Sequence, residues 1–166
     1  VPYPPGGATD VIGRVIAQRL STALGQQVVI DNRGGAGGNI GAEAVAKADP
    51  DGYTLLMGAL TSHSIMATLE KDTIRYDLNK DLVPVAVVGS VPLVWVVTPS
   101  LPVKTLQELV AYAKANPGKL TYASSGAGAP QRMCAELFRH KIGADMIHVP
   151  YKASGAAMGD LVGGQA

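Results

Sequence analysis

Cysteine is almost missing from this chain: Cys134 is the single one among 166 residues. No internal disulfide can form, and one cysteine neither establishes nor excludes an oxidising compartment. Aromatic residues make up only 5%. Neither sign of charge is in excess, with 14 Lys and Arg against 13 Asp and Glu and a net charge of +1. That leaves no electrostatic footprint for nucleic acid and no polybasic membrane patch. No run reaches the roughly 18–20 apolar residues of a membrane span. The sequence does not begin with Met, and a targeting segment upstream of Val1 stays open. Val1 reads as starting inside a strand and Ala166 as ending just past a glycine turn, so both ends are expected to be cut.

What is present is apolar mass and glycine. The chain is 47% hydrophobic, 16% charged and has 20 glycines. This supports a packed core rather than disorder. The length suits one ordinary domain or two small lobes.

Hydrophobic periodicity organises the chain. Val1–Tyr3 reads as the tail of a strand. Thr9 or Asp10 is expected to cap a helix whose apolar residues run from Val11 to Leu24, with Gly25 as its left-handed stop. Gln27–Asp31 reads as a strand, Asn32–Gly38 as a glycine-rich loop and Asn39–Ala48 as a second helix. Strands are expected at Tyr53–Met57, Val83–Val88 and Leu93–Val97, with a short helix at Ser62–Leu69. Thr98–Pro102 is the linker candidate. Beyond it, Thr105 and Glu108 form a capping box for a helix to Asn116. A strand at Leu120–Ala123, a small-residue loop at Ser124–Ala129 and a helix from Pro130 to Ile142 follow. The pattern ends with a strand at Met146–Val149 and a helix from Ser154 to about Val162.

Strands alternating with helices predict an α/β chain with mostly parallel sheets. Residues 1–98 would form a first lobe and 99–166 the beginning of a second. In open α/β sheets, ligands sit at the carboxyl ends of strands, beside helix starts. Two small-residue loops hold that position. Gly6, Gly7, Ala8 and Thr9 offer bare amides near a helix start, where an anion is favoured. The same residues would equally make a plain, tight strand-to-helix turn. Ser124, Ser125, Gly126 and Gly128 repeat the design with two hydroxyls added. A small anion clamped between two lobes fits both loops.

Other signatures are weaker. Gly35, Gly37 and Gly41 give G-x-G-x-x-x-G rather than the dinucleotide G-x-G-x-x-G, and no acidic strand end follows about 20 residues on. A nucleotide-dependent α/β enzyme using Gly34–Gly41 stays open as the alternative, beside a turn packed against the first loop. Ser125 and Ser154 lack a nucleophile-elbow frame. His63, His140 and His148 match no metal spacing and read as surface or packed residues. Arg33 and Arg132 each stand near a glycine loop, where either could pair with an anion or point to solvent.

Taken in order, VPYPPGG-x-x-D at Val1–Asp10, Asn32-Arg33-x-Gly-Ala-Gly-Gly, Ala48-x-Pro50-Asp51-Gly52-Tyr53-Thr54-Leu55-Leu56, SSG-x-G-x-P at Ser124–Pro130, Glu136-Leu137-Phe138 and His148-Val-Pro-Tyr-Lys152 resemble the Bug family. These are the TctC-like substrate-binding proteins of tripartite tricarboxylate transporters. The resemblance implies a type II periplasmic binding protein, not an enzyme and without a cofactor. It would close two lobes on a small mono- or dicarboxylate and deliver it to membrane transporter subunits. It implies ligand contacts from Gly6, Gly7, Ala8, Thr9 and Asp10 in the first loop, and from Ser124, Ser125, Gly126 and Gly128 in the second. Tyr3, Thr61, Ser62 and Tyr151 would be pocket neighbours. Arg132 stands where the family often has His and would favour a second acidic group. Ala153 stands where Gly is common, which questions the backbone shape after VPYK. Family members run to about twice this length, so the chain is expected to be truncated, with exposed apolar edges that favour association or strand exchange between copies.

Overall fold

The computed structural model describes residues 1–151 and 154–164, so the expectation for Ala153 lies outside the described residues. The chain divides into two compact units, Val1–Val91 and Pro92–Ala166.

The first unit is helical. Helix α1 spans Ala8–Leu24 and ends on Gly25 at φ 64°, the left-handed conformation that glycine adopts without strain. A 3₁₀ turn at Ala36–Gly38 leads into α2, Asn39–Ala46. Helix α3 covers Leu60–Leu69. Buried Asn39 ties the far side together. Its amide donates to Glu70 Oε2 at 3.2 Å, and Tyr76 donates its hydroxyl hydrogen to Asn39 Oδ1 at 3.0 Å.

The expected capping of α1 needs correction. The cap is Gly7, whose carbonyl accepts the Val11 amide at 3.0 Å, so Thr9 and Asp10 lie inside the first turn. Asp10 sits in the third helical position, from which an acidic side chain reaches back to amides ahead of the helix.

The strands expected at Gln27–Asp31, Tyr53–Met57, Val83–Val88 and Leu93–Val97 form no ladder among the described residues. One parallel link is present: the Val1 amino group donates to the Asp31 carbonyl at 2.8 Å and the Arg33 amide to the Val1 carbonyl at 2.9 Å. β-propensity is a preference for packing in a sheet, and a ladder also needs a paired neighbour. Val83, Val85 and Val87 remain 84–87% exposed.

The second unit holds a parallel β-α-β core. Helix α4, Leu106–Ala115, starts at the N-cap Thr105, with Glu108 reaching one residue past the cap. Thr105 Oγ1 accepts the Glu108 amide at 3.2 Å, and Glu108 reaches back to the Lys104 amide at 2.6 Å. Strand β1 (Leu120–Ser124) runs parallel to β2 (Met146–Pro150), with Tyr122 opposite His148. Parallel strands require a crossover, here α5 (Pro130–Ile142), which closes on Gly143 at φ 63°. Helix α6 covers Ser154–Val162. Alternation puts Leu120, Tyr122 and Ser124 on the buried face of β1. Leu109, Ala113, Leu120, Tyr122, Ala135, Ala144 and Met146 form the core there.

Candidate functional site

The first loop is built around one buried carboxylate. Asp10 is 2% exposed. Its Oδ2 accepts the Gly6 amide at 2.9 Å and Arg14 Nε at 3.0 Å, while Oδ1 accepts Asn32 Nδ2 at 2.9 Å. Asn32 Nδ2 also donates to the Tyr3 carbonyl at 3.1 Å, and Arg14 Nη2 donates to Asn32 Oδ1 at 3.1 Å. Hydrogen bonding to Arg14, then to Gly6 and Asn32, holds the Asp10 carboxyl well below the usual carboxylate range. The Gly6 amide is therefore occupied. Those of Gly7, Ala8 and Thr9 have no hydrogen-bond partner among the described residues, as expected for a helix start without a side-chain cap. Gly7 and Ala8 are exposed and Thr9 is half-buried. Gly6 needs its φ of 85°, whereas a Cβ on Gly7 would meet only the Pro4 carbonyl, at 3.8 Å.

The glycine-rich segment answers to packing. A Cβ on Gly34 would lie 3.2 Å from Pro4 Cδ, one on Gly38 3.1 Å from the Tyr3 hydroxyl, and one on Gly41 2.7 Å from Pro2 Cα. Gly34, Gly38 and Gly41 let the turn lie directly against Pro2–Pro4, while a Cβ on Gly35 would meet Ile40 Cδ1 at 2.6 Å and one on Gly37 would meet Met66 Sδ at 2.9 Å.

Half-buried Tyr3 has its ring 6.1 Å from that of His63. Ser62 and His63 are buried in the first turn of α3, while Thr61 is exposed. Both ring nitrogens of His63 lack a hydrogen-bond partner among the described residues. Burial lowers its pKa, so it is packed as a neutral ring.

The second loop sits at the carboxyl end of β1. Ser124 is 3% exposed, with its Oγ 2.7 Å from His148 Nε2. The Ser124 carbonyl accepts the Tyr151 amide at 2.8 Å. Gly126, at φ 120°, turns the chain towards α5, and its carbonyl accepts the Ala129 amide at 3.2 Å. Ser125 and Gly126 are half-buried and Gly128 is buried. His148 stacks on Tyr122 at 5.0 Å, and the Tyr122 hydroxyl donates to Glu136. Burial and then the bond to Glu136 push the Tyr122 phenol up to about 12.

Arg132 is half-buried in the first turn of α5, and its Nε has no partner among the described residues. The bond from Tyr122 first, and then the charges of Arg139 and Arg132, hold the Glu136 carboxyl down; burial first, and then the Arg132 charge, lower the His148 pKa. The Tyr151 hydroxyl donates to Asp160 Oδ2 at 2.7 Å.

The structure thus brings Gly6–Asp10 together with Tyr3 in one unit, and Ser124–Gly128 together with Arg132 and Tyr151 in the other. Sequence reasoning missed Arg14, Asn32, Tyr122 and His148 as partners of the loop residues. Arg14 stands four residues after Asp10, a spacing that puts both on one helix face. Tyr122 and Ser124 alternate onto one strand face, but finding His148 beside them required the strand register.

A profile of the family described as "Tripartite tricarboxylate transporter family receptor" matches residues 12–166. Protein BugT of Bordetella pertussis is 46% identical over 164 residues, covering 99% of this chain and 50% of that protein. A UPF0065 protein from the tcbD–tcbE intergenic region of Pseudomonas sp. strain P51 is 39% identical, covering 99% of this chain and 48% of its own length. The chain therefore spans about half the length of these relatives. Among solved structures, an R. palustris protein with adipate superposes with a TM-score of 0.90 at 40% identity, covering 100% of this chain and 55% of that one. MatC from Rhodopseudomonas palustris with bound malate gives 0.86 at 34% identity, covering 100% and 56%.

Proposed function

The chain belongs to the tripartite tricarboxylate transporter receptor family, and we propose that its protein is a periplasmic receptor that captures a small organic carboxylate for uptake. The observation that carries this reading is the set of open amides at Gly7, Ala8 and Thr9, heading a helix of 17 residues. Backbone N–H groups and the helix dipole favour a carboxylate there by about 0.3–1 kcal/mol when exposed, and by more when water is excluded. Ser124, Ser125, Gly126 and Gly128 offer a second set of hydroxyls and amides. Asp10 acts by holding the loop in shape, since its two oxygens are occupied by Gly6, Arg14 and Asn32.

The likeness to structures with adipate and malate supports a dicarboxylate as the ligand class. Arg132, with an unpartnered Nε, is the candidate partner for a second acidic group. Membrane transporter subunits would receive the ligand, and no bond is made or broken in capture and release. The test is calorimetry on the full-length protein with a panel of mono- and dicarboxylates. Heat of binding with an organic acid supports the reading; its absence across the panel overturns it.

A further inference from the structure

The pairing of Ser124 with His148 determines more than local packing. Parallel register sets Tyr122 opposite His148, and alternation puts Ser124 on the same face of β1 as Tyr122. The stack on Tyr122 fixes the imidazole plane, and Glu136 in turn holds the Tyr122 hydroxyl. The imidazole Nε2 thus meets Ser124 Oγ at 2.7 Å.

A serine hydroxyl has one hydrogen, and a neutral imidazole carries its hydrogen on one nitrogen only. With Nε2 bare, Ser124 must donate to it and would present only lone pairs to a carboxylate. With the hydrogen on Nε2, Ser124 accepts from His148 and its own hydrogen is free. Among the described residues, that hydrogen has one acceptor at hand, the Gly126 carbonyl at 3.4 Å. This bond is long, and a charged carboxylate would outcompete it. The space on the Cβ side of Gly126 is open, with no atom within 4 Å of where a side chain would begin.

We propose that His148 is a positioning residue, carrying its hydrogen on Nε2 so that Ser124 donates to a bound carboxylate. This rests on the receptor reading above. Burial first, and then the Arg132 charge, lower the His148 pKa. The ring therefore stays neutral near pH 7, and its tautomer is the variable.

The test joins calorimetry with two-bond proton–nitrogen NMR of the imidazoles, on the full-length protein with malate and with adipate. The expected result is an Nε2–H signature for His148 in the complex, lost in Ser124→Ala. His148→Phe should weaken binding roughly tenfold, while His148→Gln, which keeps an N–H donor, should stay within about threefold. Binding with an Nδ1–H signature, or unchanged affinity in His148→Phe, overturns the positioning role and leaves the receptor reading standing. No heat with either acid or with any other organic acid overturns the receptor reading itself.

Discussion

The Asp10 carboxylate accepts the Gly6 amide at 2.9 Å, so the first loop is shaped by an acid of its own. All three groups on that carboxylate are donors. In Asp10→Asn, one oxygen is replaced by an N–H₂ that must face a donor. The variant should melt several degrees lower. The pH dependence follows from the depressed carboxyl: its stabilisation is present above the unfolded value of about 3.9 and is lost as pH falls towards the lower folded value. Thermal melts between pH 7 and pH 2 should show this loss in the native chain and much less of it in Asp10→Asn.

Gly7 tests the open amides. A Cβ there meets only the Pro4 carbonyl, at 3.8 Å, so Gly7→Val should fold with a cap penalty of about 1 kcal/mol. Its branched side chain would stand over the amides of Ala8 and Thr9. Circular dichroism should be unchanged, and carboxylate affinity should fall at least tenfold.

Gly41 tests the packing account of the glycine-rich turn. A Cβ would lie 2.7 Å from Pro2 Cα and 2.8 Å from the Arg33 carbonyl, both backbone atoms that cannot swing away. Gly41→Ala should cost about 1–3 kcal/mol by denaturant unfolding. Gly52 has open space around it but needs φ 84°, so Gly52→Asn, with a residue that tolerates that conformation, should be nearly neutral.

His63 supplies a second pH signal. Burial lowers its folded pKa, so the unfolded chain takes up a proton that the folded chain refuses. Stability should fall as pH drops below about 6.5. His63→Phe keeps a flat ring in the same place and should flatten the profile between pH 7 and pH 5, as read by urea unfolding.

Much of this was legible in the residues, for particular reasons. Helix boundaries at Gly25, Thr105, Pro130 and Gly143 are written in local chemistry: a left-handed stop, a capping hydroxyl, a ring with fixed φ. The β1–α5–β2 unit followed from periodicity. Stretches such as Val83–Val88 carry strand propensity, but a ladder is a property of two segments, and one segment cannot declare its partner. Asp10 showed the same limit. Its type announced a cap, while its true partners, Gly6 behind it and Asn32 across a turn, depend on how the chain doubles back. His148 read only as a surface or packed histidine and as part of a motif, because its contact with Ser124 is set by register.

Capture of an organic acid by the loop amides is read out by titration calorimetry of the full-length protein and its Gly7→Val variant with adipate, malate and a nucleotide. Saturable heat with a dicarboxylate, sharply reduced in Gly7→Val and absent with the nucleotide, is the predicted result. Binding of the nucleotide with no response to any organic acid would rule out carboxylate capture by this loop.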